Sequence, residues 1–197
     1  MTESISPDLV RVHTALVTAA DKRCLAEFVC IFQEFGIDCI STGGTAQVLR
    51  DAGARVTDVT EYTGYPILFG GFVKTLHPLI HGGLLMRHYE PYIYEARLRG
   101  IKSIELVVAN CYTDKFDNGG PALIRSAASN FEFVAVVINP NDYDEIGAEL
   151  CRLNGCLSLH TRKVLAVEAL EYTAAYDTTI SRHWRREFNI PRRLDLR

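Results

Sequence analysis

The chain has 197 residues, 48% of them apolar and 23% charged, with a formal net charge of −3. That composition fits one globular domain with a real core, and with no long basic run a nucleic-acid groove is not expected. No apolar stretch approaches the roughly 20 residues that cross a bilayer, and MTESISPDLVRVH lacks the basic start and apolar core of a secretory signal. The six cysteines (Cys24, Cys30, Cys39, Cys111, Cys151, Cys156) form no CxxC pair and no Cys/His cluster of zinc type. Reduced thiols in a cytoplasmic protein are expected.

TALVTA (14–19) reads as a buried strand. From Asp21 to Phe35 the apolar positions Leu25, Phe28, Val29, Phe32 and Phe35 recur at three- and four-residue spacing, which predicts a helix stopped by Gly36. DCIS (38–41) is the next strand. TGGT (42–45) then turns into the helix AQVLRDAG, and ARVTDV (54–59) is a third strand. Thr60 to about Tyr89 is rich in Gly, Pro and His, shows no clean period and reads as a long functional connection. A helix is expected near Tyr92 to Leu98 and a strand at ELVVAN (105–110). DNGGPALIRSAASN (117–130) predicts a helix with Pro121 at its first position. FVAVVIN (133–139) is a last strand, NPNDYDEIGAEL begins a helix with Asn or Asp capping, and Ser158 to about Trp184 is a long helix. The strand–helix alternation means an α/β fold, three layers with a mostly parallel sheet and helices on both faces. Residues 1–197 read as a single domain whose basic tail, RREFNIPRRLDLR (185–197), is a solvated end.

In such sheets ligands sit beyond the carboxyl ends of the strands. TAADK (18–22), STGGT (41–45) and VANCYTDKFDNGG (108–120) have that placement. In STGGT the glycines admit close backbone approach, and the amides opening the next helix suit a phosphate. Thr42 and Thr45 add hydroxyl donors, and Lys22 brings a full positive charge. A plain glycine turn with a threonine N-cap is the competing reading. Asp117, just before a helix start, is either a simple cap or a functional acid. Lys74, His77 and His81 share GGFVKTLHPLIHGG (70–83). Pro78 and the glycines argue against a regular helix, and no acidic third ligand is near, so a metal pair is not expected.

Seven motifs occur in one order: DK (21–22), STGGTAQVLRDAG (41–53), TGYP (63–66), GGFVKTLHPLIHGG, DNGGPALIRSAASN, NDY (141–143) and YTAAYD (172–177). Together they resemble the IMP cyclohydrolase domain of the bifunctional purine-biosynthesis enzyme that also carries AICAR transformylase. The likeness runs from about Val12 to Trp184. It implies a methylglyoxal-synthase-like fold and a divergent, stand-alone form of that domain. The family's reaction joins the carboxamide nitrogen of formyl-AICAR to the formyl carbon with loss of water. By resemblance Lys22, Thr42, Gly43, Gly44 and Thr45 hold the 5′-phosphate. Lys74 stabilises developing negative charge, and Tyr112 and Asp117 align and deprotonate the reacting amide. Thr75, Asn110, Gly119, Gly120, Arg125 and Ser129 match positions close to the substrate. The resemblance also implies a homodimer and a small-molecule nucleotide substrate, with neither nucleic acid nor membrane as partner. Ring closure with loss of water calls for no cofactor.

Departures from the family pattern bear on the chemistry. Ser129 stands where the family has a lysine, Phe72 where it has an arginine, Ile67 where it has an acid and Ala20 where it has a serine. The segment between Tyr112 and Asp117 is cut to TDKF, in which Lys115 is the one cation placed to replace the lost lysine. Three readings therefore stand: ring closure of formyl-AICAR, ring closure of a modified purine-like nucleotide, and nucleotide binding without turnover.

Overall fold

The structure, a computed structural model, describes residues 7–112 and 116–191. Lys115 and the last six residues of the basic tail lie outside the described residues. In chain order the elements are β1 (Leu9–Arg11), β2 (Thr14–Ala19), α1 (Leu25–Glu34), β3 (Asp38–Ser41), α2 (Gly43–Asp51), β4 (Val56–Asp58) and α3 (Val59–Thr63). A 3₁₀ turn (Phe69–Gly71), α4 (Pro78–Leu85), α5 (Glu90–Arg99), β5 (Leu106–Asn110), α6 (Gly119–Ser129) and β6 (Ala135–Val137) follow. A second 3₁₀ turn (Pro140–Asp142), α7 (Tyr143–Arg152), β7 (Cys156–Ser158) and α8 (Leu159–Glu187) complete the chain.

Five parallel strands form the main sheet in the order β4-β3-β2-β5-β6. Alternate residues of a strand face opposite sides. Ala15, Val17 and Ala19 therefore join a core with α1 and α7, and Leu16 joins a second core with α4, α6 and α8. Two packed faces on one sheet make the three layers expected, and they explain why the strands read as continuous apolar runs. The chain winds from β2 through β3 to β4 on one side, then returns to place β5 on the other side of β2. Between β2 and β5 the strand order reverses, and the crevice that opens there is the usual ligand site of such sheets.

A small antiparallel pair, β1 with β7, lies outside this sheet. Beside it Arg162 is fully buried and donates to the carbonyls of Pro7, Phe131, Glu132 and Leu157. One guanidinium thus ties the start of the described chain to β7 and to the turn at 131–132. Among the described residues no helix is long and apolar enough to cross a membrane.

Pro121, expected at the first position of its helix, is the third residue of α6, and two expected elements differ. The helix predicted from Asp21 starts only at Leu25. Asn110 binds both backbone groups of Asp21, whose carboxylate in turn accepts the Arg23 amide and pairs with its guanidinium at 2.7 Å. These contacts hold residues 21–23 as a loop. The second difference is α4, inside the stretch read as a connection. Pro78 opens the helix, where a missing N–H costs nothing, and His77 Nδ1 accepts the Leu79 amide as an N-cap (3.2 Å).

Candidate functional site

A cavity of about 250 Å³ opens at the carboxyl ends of β2, β3 and β5. One part of its wall is the β3–α2 turn. Thr42 is buried and extended, and Gly43 takes φ +58°, a conformation that strains any residue with a Cβ. The first intrahelical bond of α2 runs from Ala46 N–H to Thr42 O (3.4 Å). The amides of Gly43, Gly44 and Thr45 precede it, and such opening amides carry the partial positive charge that receives an anion. Lys22 lines the same cavity, its ammonium 3.4 Å from Ala20 O. The Thr42 hydroxyl makes no capping bond. Thr45 corrects its expected role: its hydroxyl donates to Ala19 O (3.1 Å) and accepts the Ala19 amide (3.3 Å). That hydroxyl fastens α2 to the end of β2, and only the Thr45 backbone is available to a phosphate.

The rest of the wall comes from 70–75, 110–112 and 116–120. Asn110 at the end of β5 accepts the Asp21 amide on Oδ1 (2.7 Å) and donates from Nδ2 to Asp21 O (3.1 Å). Its side chain holds the Lys22 loop against β5 and lines the cavity as well. Asp117 Oδ1 accepts the Gly120 amide (3.0 Å), so the acid does cap α6, and it lines the cavity as well. A Cβ on Gly119 would sit 2.9 Å from Thr75 Oγ1, and one on Gly120 would sit 2.6 Å from Asp117 Oδ2. The two glycines therefore let Thr75 and Asp117 pack onto the opening of α6. Gly71, at φ +104°, passes under the Lys74 side chain. Lys74, Tyr112, Phe72 and Phe116 complete the lining.

The MGS-like domain model matches residues 24–142. The chain belongs to the MGS-like domain family. Toward the carboxyl end the model of the AICARFT/IMPCHase bienzyme matches residues 127–196. The bifunctional purine biosynthesis protein PurH of Bartonella bacilliformis is 44% identical over 201 residues, covering 94% of this chain and 37% of that protein. PurH of Brucella ovis is 42% identical over 192 residues, covering 89% of this chain and 36% of that protein. The chain thus spans little more than a third of the length of these curated relatives. A crystal structure of ForH superposes with a TM-score of 0.78 at 34% identity, covering 86% of this chain and 97% of that one.

Within this MGS-like domain two sequence-based assignments fall away from the cavity. Arg125 and Ser129 are exposed, one turn apart on α6, and Ser129 donates to Ser126 O (2.8 Å). The cavity meets the other end of that helix. Ser129 ends α6 ten residues beyond Gly119, about 15 Å along the axis. Losing the family lysine at this position therefore removes no charge from the cavity lining of one protomer. Ala20 and Phe72 do line it, whereas Ile67 does not. His77 is used as a cap, and His81 Nδ1 lies 2.9 Å from Ser126 Oγ, with its pKa lowered by burial.

The two tyrosines of YTAAYD (172–177) were given no site role in the sequence reading. Tyr172 Oη accepts the Cys111 amide and Tyr176 Oη accepts the Asp117 amide, each at 2.8 Å. Their four-residue spacing on a long helix was the available signal, since it puts both on one face.

Proposed function

We propose that the chain is a cyclohydrolase that closes the second ring of formyl-AICAR to give IMP and water. The observation that carries this reading is one cavity lined both by a phosphate-type cradle with Lys22 and by Lys74, Tyr112 and Asp117. The PurH relatives and the AICARFT/IMPCHase match support it. The 5′-phosphate binds the opening amides of α2 and Lys22. The carboxamide nitrogen, a poor nucleophile, is held against the formyl carbon, and such positioning supplies a large share of the rate. As the C–N bond forms, Asp117 takes a carboxamide proton, Tyr112 aligns the amide, and Lys74 meets the charge growing on the formyl oxygen. That oxygen then leaves as water, with one hydrogen from the carboxamide and one from the formamide nitrogen. The homodimer implied by the resemblance belongs to the same proposal and is tested by light scattering of the purified chain.

A specific observation favours a second reading. Phe72, Phe116 and Ala20 give the cavity an apolar wall, which suits ring closure on a modified, less polar purine-like nucleotide. Ring closure followed by ultraviolet absorbance separates the readings. Turnover of formyl-AICAR that drops at least about 100-fold in Lys74→Ala and Asp117→Asn supports the first. Faster closure of a less polar analogue supports the second. IMP binding without turnover leaves a nucleotide-binding protein and overturns both.

A further inference from the structure

We propose that Tyr172 and Tyr176 are positioning residues, which hold through their hydroxyls the backbone amides of Cys111 and Asp117 and so set where Tyr112 and Asp117 stand in the cavity. The two tyrosines lie one turn apart on α8, and the amides they accept are 61 and 59 residues away in sequence. Neither amide is within a strand or helix: Cys111 follows the last residue of β5 and Asp117 precedes α6 by two. A backbone N–H that leaves its ladder needs another acceptor when it is shut away from water. Here both acceptors come from one rigid helix, so Cys111, next to Tyr112, and Asp117 are each fixed to the same body.

The contacts are more than incidental. Tyr176 is only 8% exposed, and a phenylalanine fills the same space without a hydroxyl. Burial raises the pKa of both phenols, so they stay neutral. Asp117 is then held twice: its amide by Tyr176 and its carboxylate by the Gly120 amide. A base held in this way loses rate when one tether is cut, because a displacement near 1 Å costs up to about 100-fold.

The test uses Tyr172→Phe and Tyr176→Phe, which delete one oxygen each and keep the ring. Its first readout needs no turnover: amide hydrogen exchange at Cys111 and Asp117 in the isotope-labelled chain. Faster exchange by about tenfold at the tethered amide, with α8 unchanged, is expected. Unchanged exchange overturns the proposal whatever the activity. The second readout is kinetic and rests on the cyclohydrolase reading. Y176F should lower kcat about tenfold with KM nearly constant, and should add no loss in an Asp117→Asn background. A kcat equal to that of the parent chain, or a full additive loss in D117N, also overturns it. If the parent chain turns nothing over, the functional reading fails alone and the exchange result decides the tether.

Discussion

Replacing Gly120 by alanine tests how closely the Asp117 carboxylate is placed. Gly120 is the second residue of α6, and its φ is not in the left-handed region, so alanine suits the backbone. The added Cβ would lie 2.6 Å from Asp117 Oδ2 and 3.0 Å from Cys111 Sγ. Ordinary contact begins at 3.4 Å, so the carboxylate must retreat by about 0.8 Å. The retreat breaks the 3.0 Å bond from the Gly120 amide. Losing a hydrogen bond to a charged group costs about 1.5–3 kcal/mol, which alanine's better helix propensity offsets by ~1 kcal/mol. The net loss of stability is therefore small, about 0.5–2 kcal/mol, and the fold persists. The rate suffers more: a base displaced by nearly 1 Å costs between ten- and 100-fold in kcat. Urea unfolding and ring-closure kinetics of G120A, with D117N/G120A as the control, measure the two effects. Turnover within twofold of the parent at unchanged stability refutes the placement of Asp117 at the reacting amide.

Gly44 has open space where a Cβ would go and no positive φ. Gly44→Ala should keep or raise the melting temperature, yet weaken IMP binding about tenfold by calorimetry, since a methyl stands where the phosphate meets the amides. Unchanged affinity would move the phosphate elsewhere. Arg162→Met leaves four carbonyls around a fully buried side chain without their donor and should cost roughly 3–5 kcal/mol in urea unfolding. A loss under about 1 kcal/mol would show that water replaces the guanidinium. Burial alone raises the pKa of Glu149, but hydrogen bonds from Thr161 and Ser158 outweigh it and hold the value below 4.5. Its contribution to stability is therefore present above pH 4.5 and lost as pH falls through the lower folded value. Glu149→Gln should destabilise the chain at neutral pH, by an amount that shrinks below pH 4.5. Burial pushes the thiols of Cys39 and Cys111 up to about 12. At pH 8 iodoacetamide should modify the exposed Cys24, Cys30 and Cys151 first, and the buried pair only after unfolding, as read by mass spectrometry.

Strands β2 and β3 match the apolar runs TALVTA and DCIS to the residue, because a strand buried on both faces leaves an unmistakable pattern. The cavity was legible for a related reason: Lys22, STGGT and Asp117 each follow a strand or open a helix, where parallel-sheet geometry gathers ligand groups. What sequence obscured depends on contacts between distant residues. Gly82 and Gly83 read as loop punctuation, yet both lie inside α4. A Cβ on Gly83 would come 2.4 Å from Lys102 O, so that glycine serves close packing, and it hid the helix. The pairing of Leu9 with Ser158 rests on three-residue strands at opposite ends of the chain, too short to leave a period. Ser129 lies away from the cavity of one protomer because a motif gives order along a helix but not the end of the helix that reaches the cavity.

Because all five strands of the main sheet run the same way, its two edges hold different assets. The carboxyl edge carries every element of the cavity. The amino edge carries the β1–β7 pair and turns, among them the exposed Gly100, which ends α5 in the left-handed conformation. The five residues of β5 separate the two edges by about 16 Å. A reporter peptide or a second domain can therefore be spliced in at Gly100 without nearing the cavity. The polarity of the sheet makes the molecule a modular part, with one edge holding the cavity and the other open to attachment.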